Sequence, residues 1–227
     1  MRLSDFNELH YITDISNVPS IMEKGILSYN RAKNIPHKSV AMIDVQKKRE
    51  KKRIPGGKPL HDYVNLYFCA RNPMLYKLLY EPSNQHGLQP RFKLCVLKIS
   101  KEILSIKGVF ITDGNAASDD THFFPFPEGL DKIDESQVFA EYWKGSNEIS
   151  WMNKKFMKCA EVLVPDIVDI RNILGAYVSC DPSRDFLEKE FSLVKKTPNL
   201  IITENSHLFF DAGYNTRRKL GNKLGGH

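Results

Sequence analysis

Residues 159–164 read Cys159-Ala160-Glu161-Val162-Leu163-Val164, a strand-like run that is apolar at every position but one. Side chains on a strand alternate between two faces. Glu161 therefore shares a face with Cys159 and Leu163, while Ala160, Val162 and Val164 share the other. Neither face is polar, so the run suits a buried strand, and Pro165-Asp166 ends it. An ionised carboxylate without a partner is costly in apolar surroundings. Two arrangements escape that cost. Either Glu161 lines a cleft and binds something, or the strand lies at a sheet edge and Glu161 faces water. The run alone favours neither.

Similar runs recur along the chain. Strands are expected over 9–13, 64–70, 94–99, 109–112, 174–179 and 199–203, each rich in apolar and β-branched residues and bounded by polar turns. Between them lie short helices. Ser16 or Asn17 can cap one, with Pro19 in its first turn, Ile21 and Met22 inward and Gly25 as its stop. Residues 74–80 suit another with Leu75, Leu78 and Leu79 inward, and 182–195 a third. The stretch 113–120 is turn-rich and expected outside the core. The aromatics of 120–150 suggest helices around a pocket rim. These elements predict an α+β fold, a mixed or antiparallel sheet core with peripheral helices, as one domain over residues 1–212. Residues 213–227 are Gly-, Lys- and Arg-rich and are expected to form a flexible basic tail.

Residues 44–53 have helical composition but no apolar face after Val45, so an exposed helix is expected, broken by Pro55-Gly56-Gly57-Lys58-Pro59. Six of the seven residues from Lys47 to Arg53 are cations, Glu50 being the exception. A solvated helix face is the ordinary reading of such a run. A nucleic-acid footprint is the functional one. It would use Lys47, Lys48, Lys51, Lys52 and Arg53 on phosphates, with Tyr63, Tyr67 and Tyr76 as stacking surfaces and Phe68 in the core. Over the whole chain, 33 Lys and Arg against 27 Asp and Glu leave a mild +6. Cys69, Cys95, Cys159 and Cys180 show no Cys-x-x-Cys or zinc spacing, so reduced thiols, a cytoplasmic protein and no metal are expected. No apolar run is long enough to span a membrane. P-loop, dinucleotide-binding Gly-x-Gly-x-x-Gly and Gly-x-Ser-x-Gly patterns are absent.

Taken together, the residues resemble the DarT family of DNA ADP-ribosyltransferase toxins, which are paired with the macrodomain antitoxin DarG. The resemblance runs from about Leu9 to Val164 and, more weakly, to about Phe210. It is carried by His10-Tyr11-Ile12-Thr13 with the helix to Gly25, by Val45 to Pro55, by Thr112-Asp113-Gly114-Asn115 and by Ala160 to Val164. Most specific is Leu60-His61-Asp62-Tyr63-Val64-Asn65-Leu66-Tyr67-Phe68 through Arg71-Asn72-Pro73-Met74-Leu75.

The resemblance implies an ADP-ribosyltransferase-like split sheet with NAD⁺ as co-substrate in the split. It implies transfer of ADP-ribose to thymidine or guanosine of single-stranded DNA by a monomer. Glu161 would stabilise the oxocarbenium-like transition state, and Arg49 would position groups and stabilise charge. His10, Tyr11, Thr13, Tyr67, Arg71 and Asn115 would contact NAD⁺. Many members read aromatic-His-Ile-Thr where this chain has His10 before Tyr11, so both are carried forward. Residues 28–45 and 113–126 are the segments expected to recognise the base. An RNA or protein acceptor, or a non-catalytic nucleic-acid-binding module, are the alternatives. Glu161→Ala is expected to leave the fold intact, because it removes a buried charge.

Overall fold

The computed structural model describes residues 1–80, 91–192 and 200–210. β1 (Glu8–Asp14) leads into α1 (Val18–Lys24), β2 (Ile26–Leu27), α2 (Tyr29–Ala32) and α3 (Ile43–Glu50). Then come β3 (Tyr63–Tyr67), α4 (Pro73–Tyr80), β4 (Leu94–Ser100), β5 (Phe110–Thr112), β6 (Phe123–Pro125), α5 (Glu135–Val138) and α6 (Glu148–Met157). The last described elements are β7 (Glu161–Pro165), β8 (Ile167–Val168), β9 (Ile173–Val178), α7 (Asp181–Ser192) and β10 (Ile201–Glu204). Among the described residues, eight strands form one sheet in the order β10-β9-β4-β1-β3-β7-β5-β6. Only the β10–β9 pair is parallel. β2 and β8 make a small second sheet.

Strand alternation sorts the core into layers. Leu9, Val64, Leu66, Phe68, Cys95, Leu97, Val162 and Val164 face one side, where they are buried with Ile21 and Met22 of α1 and Leu187 of α7. On the other side two clusters form. Ile12, Tyr67, Leu94 and Val96 pack with Leu75, Leu78 and Leu79 of α4 and with Phe209. Tyr63 and Leu163 pack with Ile54, Leu60 and Ala116. Glu161 is paired with Tyr67 across β3–β7, on this second side. It therefore sits where the two clusters part.

The sheet is split beside that point. β4 is registered with β1 along its whole length, from Glu8↔Ser100 to Asp14↔Leu94. β3 is registered with β1 only at His10↔Tyr67. From there towards Thr13 and Tyr63 the strands diverge, and a cavity of about 120 Å³ occupies the opening.

Several expectations shift by a residue or two at their ends, as frayed boundaries do. The helix expected over 182–195 is α7, with 193–195 outside the described residues; Asn199 and the 213–227 tail also lie outside them. The helices expected over 120–150 are short: a 3-10 turn of helix at Glu128–Lys132, α5 and the start of α6, with β6 and irregular chain between. The 113–120 stretch does not lie outside the core. Ala116 is fully buried and Ala117 nearly so, because α6 folds over the turn: a Cβ on Gly114 would run into the Phe156 ring. Among the described residues, no helix is long and apolar enough to cross a membrane.

Candidate active site

Glu161 opens β7, an interior strand between β3 and β5, and is 1% exposed. The edge-strand reading is excluded. Its carboxylate does not stand alone. Arg49 Nη1 donates to Oε2 at 3.0 Å and approaches Oε1 at 3.3 Å. The backbone N–H of Ala116 donates to Oε1 at 3.0 Å. Thr112 Oγ1 accepts the Glu161 N–H at 3.0 Å and donates to the Gly114 carbonyl at 2.7 Å. A guanidinium and a turn amide thus compensate the desolvation that made this carboxylate costly.

Arg49 is 5% exposed, although the helix that carries it was expected to lie in solvent. α3 does lack an apolar face, and Lys47, Lys48 and Glu50 are exposed. Its inward face is polar instead. Gln46 Oε1 lies 3.0 Å from His61 Nε2, and Arg49, one turn on, reaches Glu161. Tyr29 stacks on His61 with ring centroids 4.2 Å apart. Burial, and then the Arg49 charge, hold the His61 pKa below its ordinary value, so the ring favours its neutral form.

Two cavities meet at Arg49, which lines both together with Asn65. The one in the split is also lined by Tyr11, Thr13, Val40 and His61. The other is a cleft of about 480 Å³ lined by Glu161, Tyr67, Asn115, Met74, Trp151 and Lys155 among others. Burial, and next the Glu161 carboxylate, push the Tyr67 phenol well above its usual pKa. It keeps its proton and donates to Met74 Sδ at 3.1 Å.

The expected site residues therefore divide. Glu161 and Arg49 are in direct contact. Tyr11 and Thr13 line the split; Tyr67 and Asn115 line the large cleft. His10 lines neither. Its Nδ1 lies 3.3 and 3.2 Å from the Tyr67 and Phe68 carbonyls, at the closed end of the split. Arg71 is not brought to the site. Its guanidinium lies 4.2 Å from the Phe210 ring centroid and donates to the His207 carbonyl.

Of the proposed phosphate contacts, Lys47, Lys48 and Lys51 are exposed. Arg53 is exposed as well and binds the Gly57 carbonyl, whereas Lys52 turns inward to the Ser118 carbonyl and lies 3.2 Å from Asp119. Sequence reasoning missed α6, where Trp151, Met152 and Lys155 form one wall of the cleft and Lys155 lies 4.8 Å from the Trp151 ring centroid. An aromatic followed four residues later by a lysine was the available signal. Among the described residues no group of three His, Cys, Asp or Glu side chains is placed to hold a metal.

The split sheet is the architecture implied by the resemblance, that of an ADP-ribosyltransferase, and the structure adds that the two expected catalytic residues, Glu161 and Arg49, form a buried pair. The chain belongs to the DarT family, described as ssDNA thymidine ADP-ribosyltransferase, whose model matches residues 10–210.

A DNA ADP-ribosyl transferase–DNA ADP-ribosyl glycohydrolase fusion protein of Thermosipho africanus (strain H17ap60334) is 40% identical over 178 residues, covering 77% of this chain and 43% of that protein. The chain thus spans less than half of that relative. The DNA ADP-ribosyl transferase of Thermus sp. (strain 2.9) is 30% identical over 144 residues, 62% of this chain and 68% of the relative. The solved structure of Thermosipho africanus DarTG with ADP-ribose superposes with a TM-score of 0.77 at 33% identity, over 90% of this chain and 51% of that one. Thermus sp. 2.9 DarT, solved with ADP-ribosylated ssDNA, shares the fold with a TM-score of 0.76 at 24% identity, over 89% of this chain and 95% of that one.

Proposed function

We propose that the chain is a mono-ADP-ribosyltransferase that cleaves NAD⁺ and transfers ADP-ribose to thymidine in single-stranded DNA. The observation that carries this reading is the buried Arg49–Glu161 pair, in which Arg49 lines both the split and the large cleft and Glu161 lines the large cleft. Breaking the nicotinamide–ribose bond leaves positive charge on the sugar. A fixed carboxylate beside it lowers that barrier, since its orientation is set before the reaction. A guanidinium donates hydrogen bonds and has no acceptor, so the part of Arg49 is to hold the carboxylate and attract phosphate or the reacting base. NAD⁺ would lie across Arg49, with one end in the split against Tyr11 and Thr13 and its reacting ribose beside Glu161 at the edge of the large cleft. The acceptor strand would cross the large cleft, with Trp151 as a stacking surface and Lys47, Lys48, Lys51 and Lys155 facing phosphates.

Thymidine, rather than guanosine, follows the description of the matching family. A DNA ADP-ribosyl glycohydrolase of the DarG kind is the proposed antitoxin, because the Thermosipho relative carries such an activity in the same chain. A cytoplasmic toxin acting as a monomer through one domain completes the reading.

Incubating the protein with labelled NAD⁺ and, separately, thymidine-containing DNA, thymidine-free DNA, RNA and protein tests it. Label on the first alone, lost in Glu161→Gln, is the expected result. Label only on RNA or protein would replace the acceptor. DNA binding without any transfer would overturn catalysis.

A further inference from the structure

Lys52 belongs to the basic run but not to its exposed face. Its side chain is 17% exposed and bends away from solvent to the Ser118 carbonyl, with Asp119 Oδ1 at 3.2 Å. Asp119 is 99% exposed, so that ion pair is screened and weak. The charge-assisted bond to the Ser118 carbonyl is the firmer contact.

Ser118 belongs to a turn with a defined task. Its N–H donates to the Asn115 carbonyl at 2.9 Å, and Asn115 Oδ1 accepts the Ala117 N–H at 2.9 Å. Thr121 Oγ1 also donates to the Asn115 carbonyl. Between these fixed points the turn presents the Ala116 N–H to Glu161 Oε1. Meanwhile Lys52 lies three residues after Arg49, its N–H donating to the Arg49 carbonyl at 3.1 Å, and its own carbonyl accepts the Leu60 N–H at 2.9 Å. The end of α3 thus reaches Glu161 twice: directly through the Arg49 guanidinium, and indirectly through Lys52, Ser118 and Ala116.

We propose that Lys52 is a positioning residue, which clamps the 115–121 turn to the end of α3 so that the guanidinium and the turn amide hold one carboxylate in one orientation. This replaces the phosphate contact expected of Lys52 from the sequence. It rests on the transferase reading above, and its test separates the two.

Lys52→Gln, Lys52→Arg and Lys51→Gln are compared with the unaltered protein. Amide hydrogen exchange is read over residues 112–121, turnover with saturating NAD⁺ and DNA, and the salt dependence of DNA binding. In Lys52→Gln the Ala116 amide should exchange faster while the sheet amides keep their protection. Turnover should fall roughly ten- to a hundredfold, the scale of a misplaced catalytic group, with KM for both substrates little changed. The salt slope should stay as it was. Lys52→Arg, which retains a donor cation, should restore both exchange and turnover. Lys51→Gln should do the reverse, leaving Ala116 exchange as it was and making the slope shallower by roughly 0.7, the contribution of one phosphate on a single strand.

A shallower slope in Lys52→Gln with normal Ala116 exchange would make Lys52 a phosphate contact and overturn the proposal. So would faster exchange throughout the sheet without rescue by arginine, which marks a general loss of structure. If the unaltered protein transfers nothing, the transferase reading fails, while the exchange measurement still decides whether Lys52 holds the turn.

Discussion

Strand β3 has two neighbours and joins them differently. Against β7 it is registered over five pairs, from Tyr63↔Pro165 to Tyr67↔Glu161. Against β1 it is registered at His10↔Tyr67 alone. The closed seam gives Glu161 a fixed backbone and neighbours that cannot drift. Beyond its single pair, the open seam gives room, lined by Tyr11 and Thr13 on one lip and Asn65 on the other. Tyr67 belongs to both seams, so the rigid and the open halves of the site share one residue. Precision and access are thereby assigned to opposite edges of one strand.

The largest effect should come from the charge held at the end of the closed seam. Glu161→Gln keeps the size of the side chain and an oxygen for the Ala116 N–H, so the fold should survive. Transfer should fall by at least about 10²–10³-fold in kcat, as when a preorganised electrostatic group is lost. Glu161→Ala is a different experiment. It leaves Arg49, 5% exposed, with neither a carboxylate nor an amide oxygen to accept from it, and breaking such a pair from one side costs about 3 kcal/mol or more. The expectation that alanine would leave the fold intact by removing a buried charge did not include the Arg49 partner. Urea denaturation of both variants separates the cases. Equal stability of the two would show that Arg49 finds water through the cleft.

How much of this was legible can be followed residue by residue. Glu161 was legible because a strand apolar on both faces makes one carboxylate conspicuous. The strands around it were legible for the same reason: two-residue periodicity is a local signal. Arg49 was visible as a candidate only through the family resemblance. On physical grounds its helix looked solvated, because its buried face is polar and its partner lies 112 residues away. The 113–120 turn looked like surface for a similar reason. Its hydrogen bonds go to a strand that begins 45 residues after Ala116, and composition records polarity, not where polar groups are satisfied. The split was visible only through the family resemblance. It is a failure of two strands to pair, and no residue type announces that.

Next in size is the support behind Glu161. Thr112→Val keeps the shape of the side chain but removes the hydroxyl that serves the Glu161 N–H and the Gly114 carbonyl. Two buried backbone groups lose a partner, at about 1–3 kcal/mol each. Urea denaturation should show a loss towards the upper part of that range, with turnover falling as the 113–121 turn loosens. A loss below about 0.5 kcal/mol would mean that the closed seam is less rigid than its register implies.

The open seam should be cheaper to disturb. His10→Ala removes a ring nitrogen that contacts the Tyr67 and Phe68 carbonyls but leaves the strand pair itself. About 1 kcal/mol of stability should be lost. KM for NAD⁺ should rise more than kcat falls, because His10 closes the end of the split without touching Glu161. If kcat falls instead, the two seams are coupled through Tyr67 and cannot be treated as separate halves.

The smallest effect tests that separation by pH. His61 lines the open cavity, and its pKa is held below the ordinary 6.5 by burial and by the Arg49 charge. In the unfolded chain the ring takes up a proton near pH 6.5, and in the fold only at a lower pH. Between those values the unfolded state binds more protons, so stability rises with pH. The contribution is fully present above about pH 6.5 and is lost as the pH falls towards the folded value. His61→Gln removes the titration while leaving an amide to meet Gln46, and should flatten the pH dependence of stability over that window. The protonated ring would also press against Arg49 from the open side. Ala116 and Thr112, which hold Glu161 from the closed side, have no charge to lose. Activity should therefore fall with pH in the unaltered protein in step with His61, and fall less in His61→Gln. An unchanged acid limb in the variant would place the titrating group on the closed seam instead.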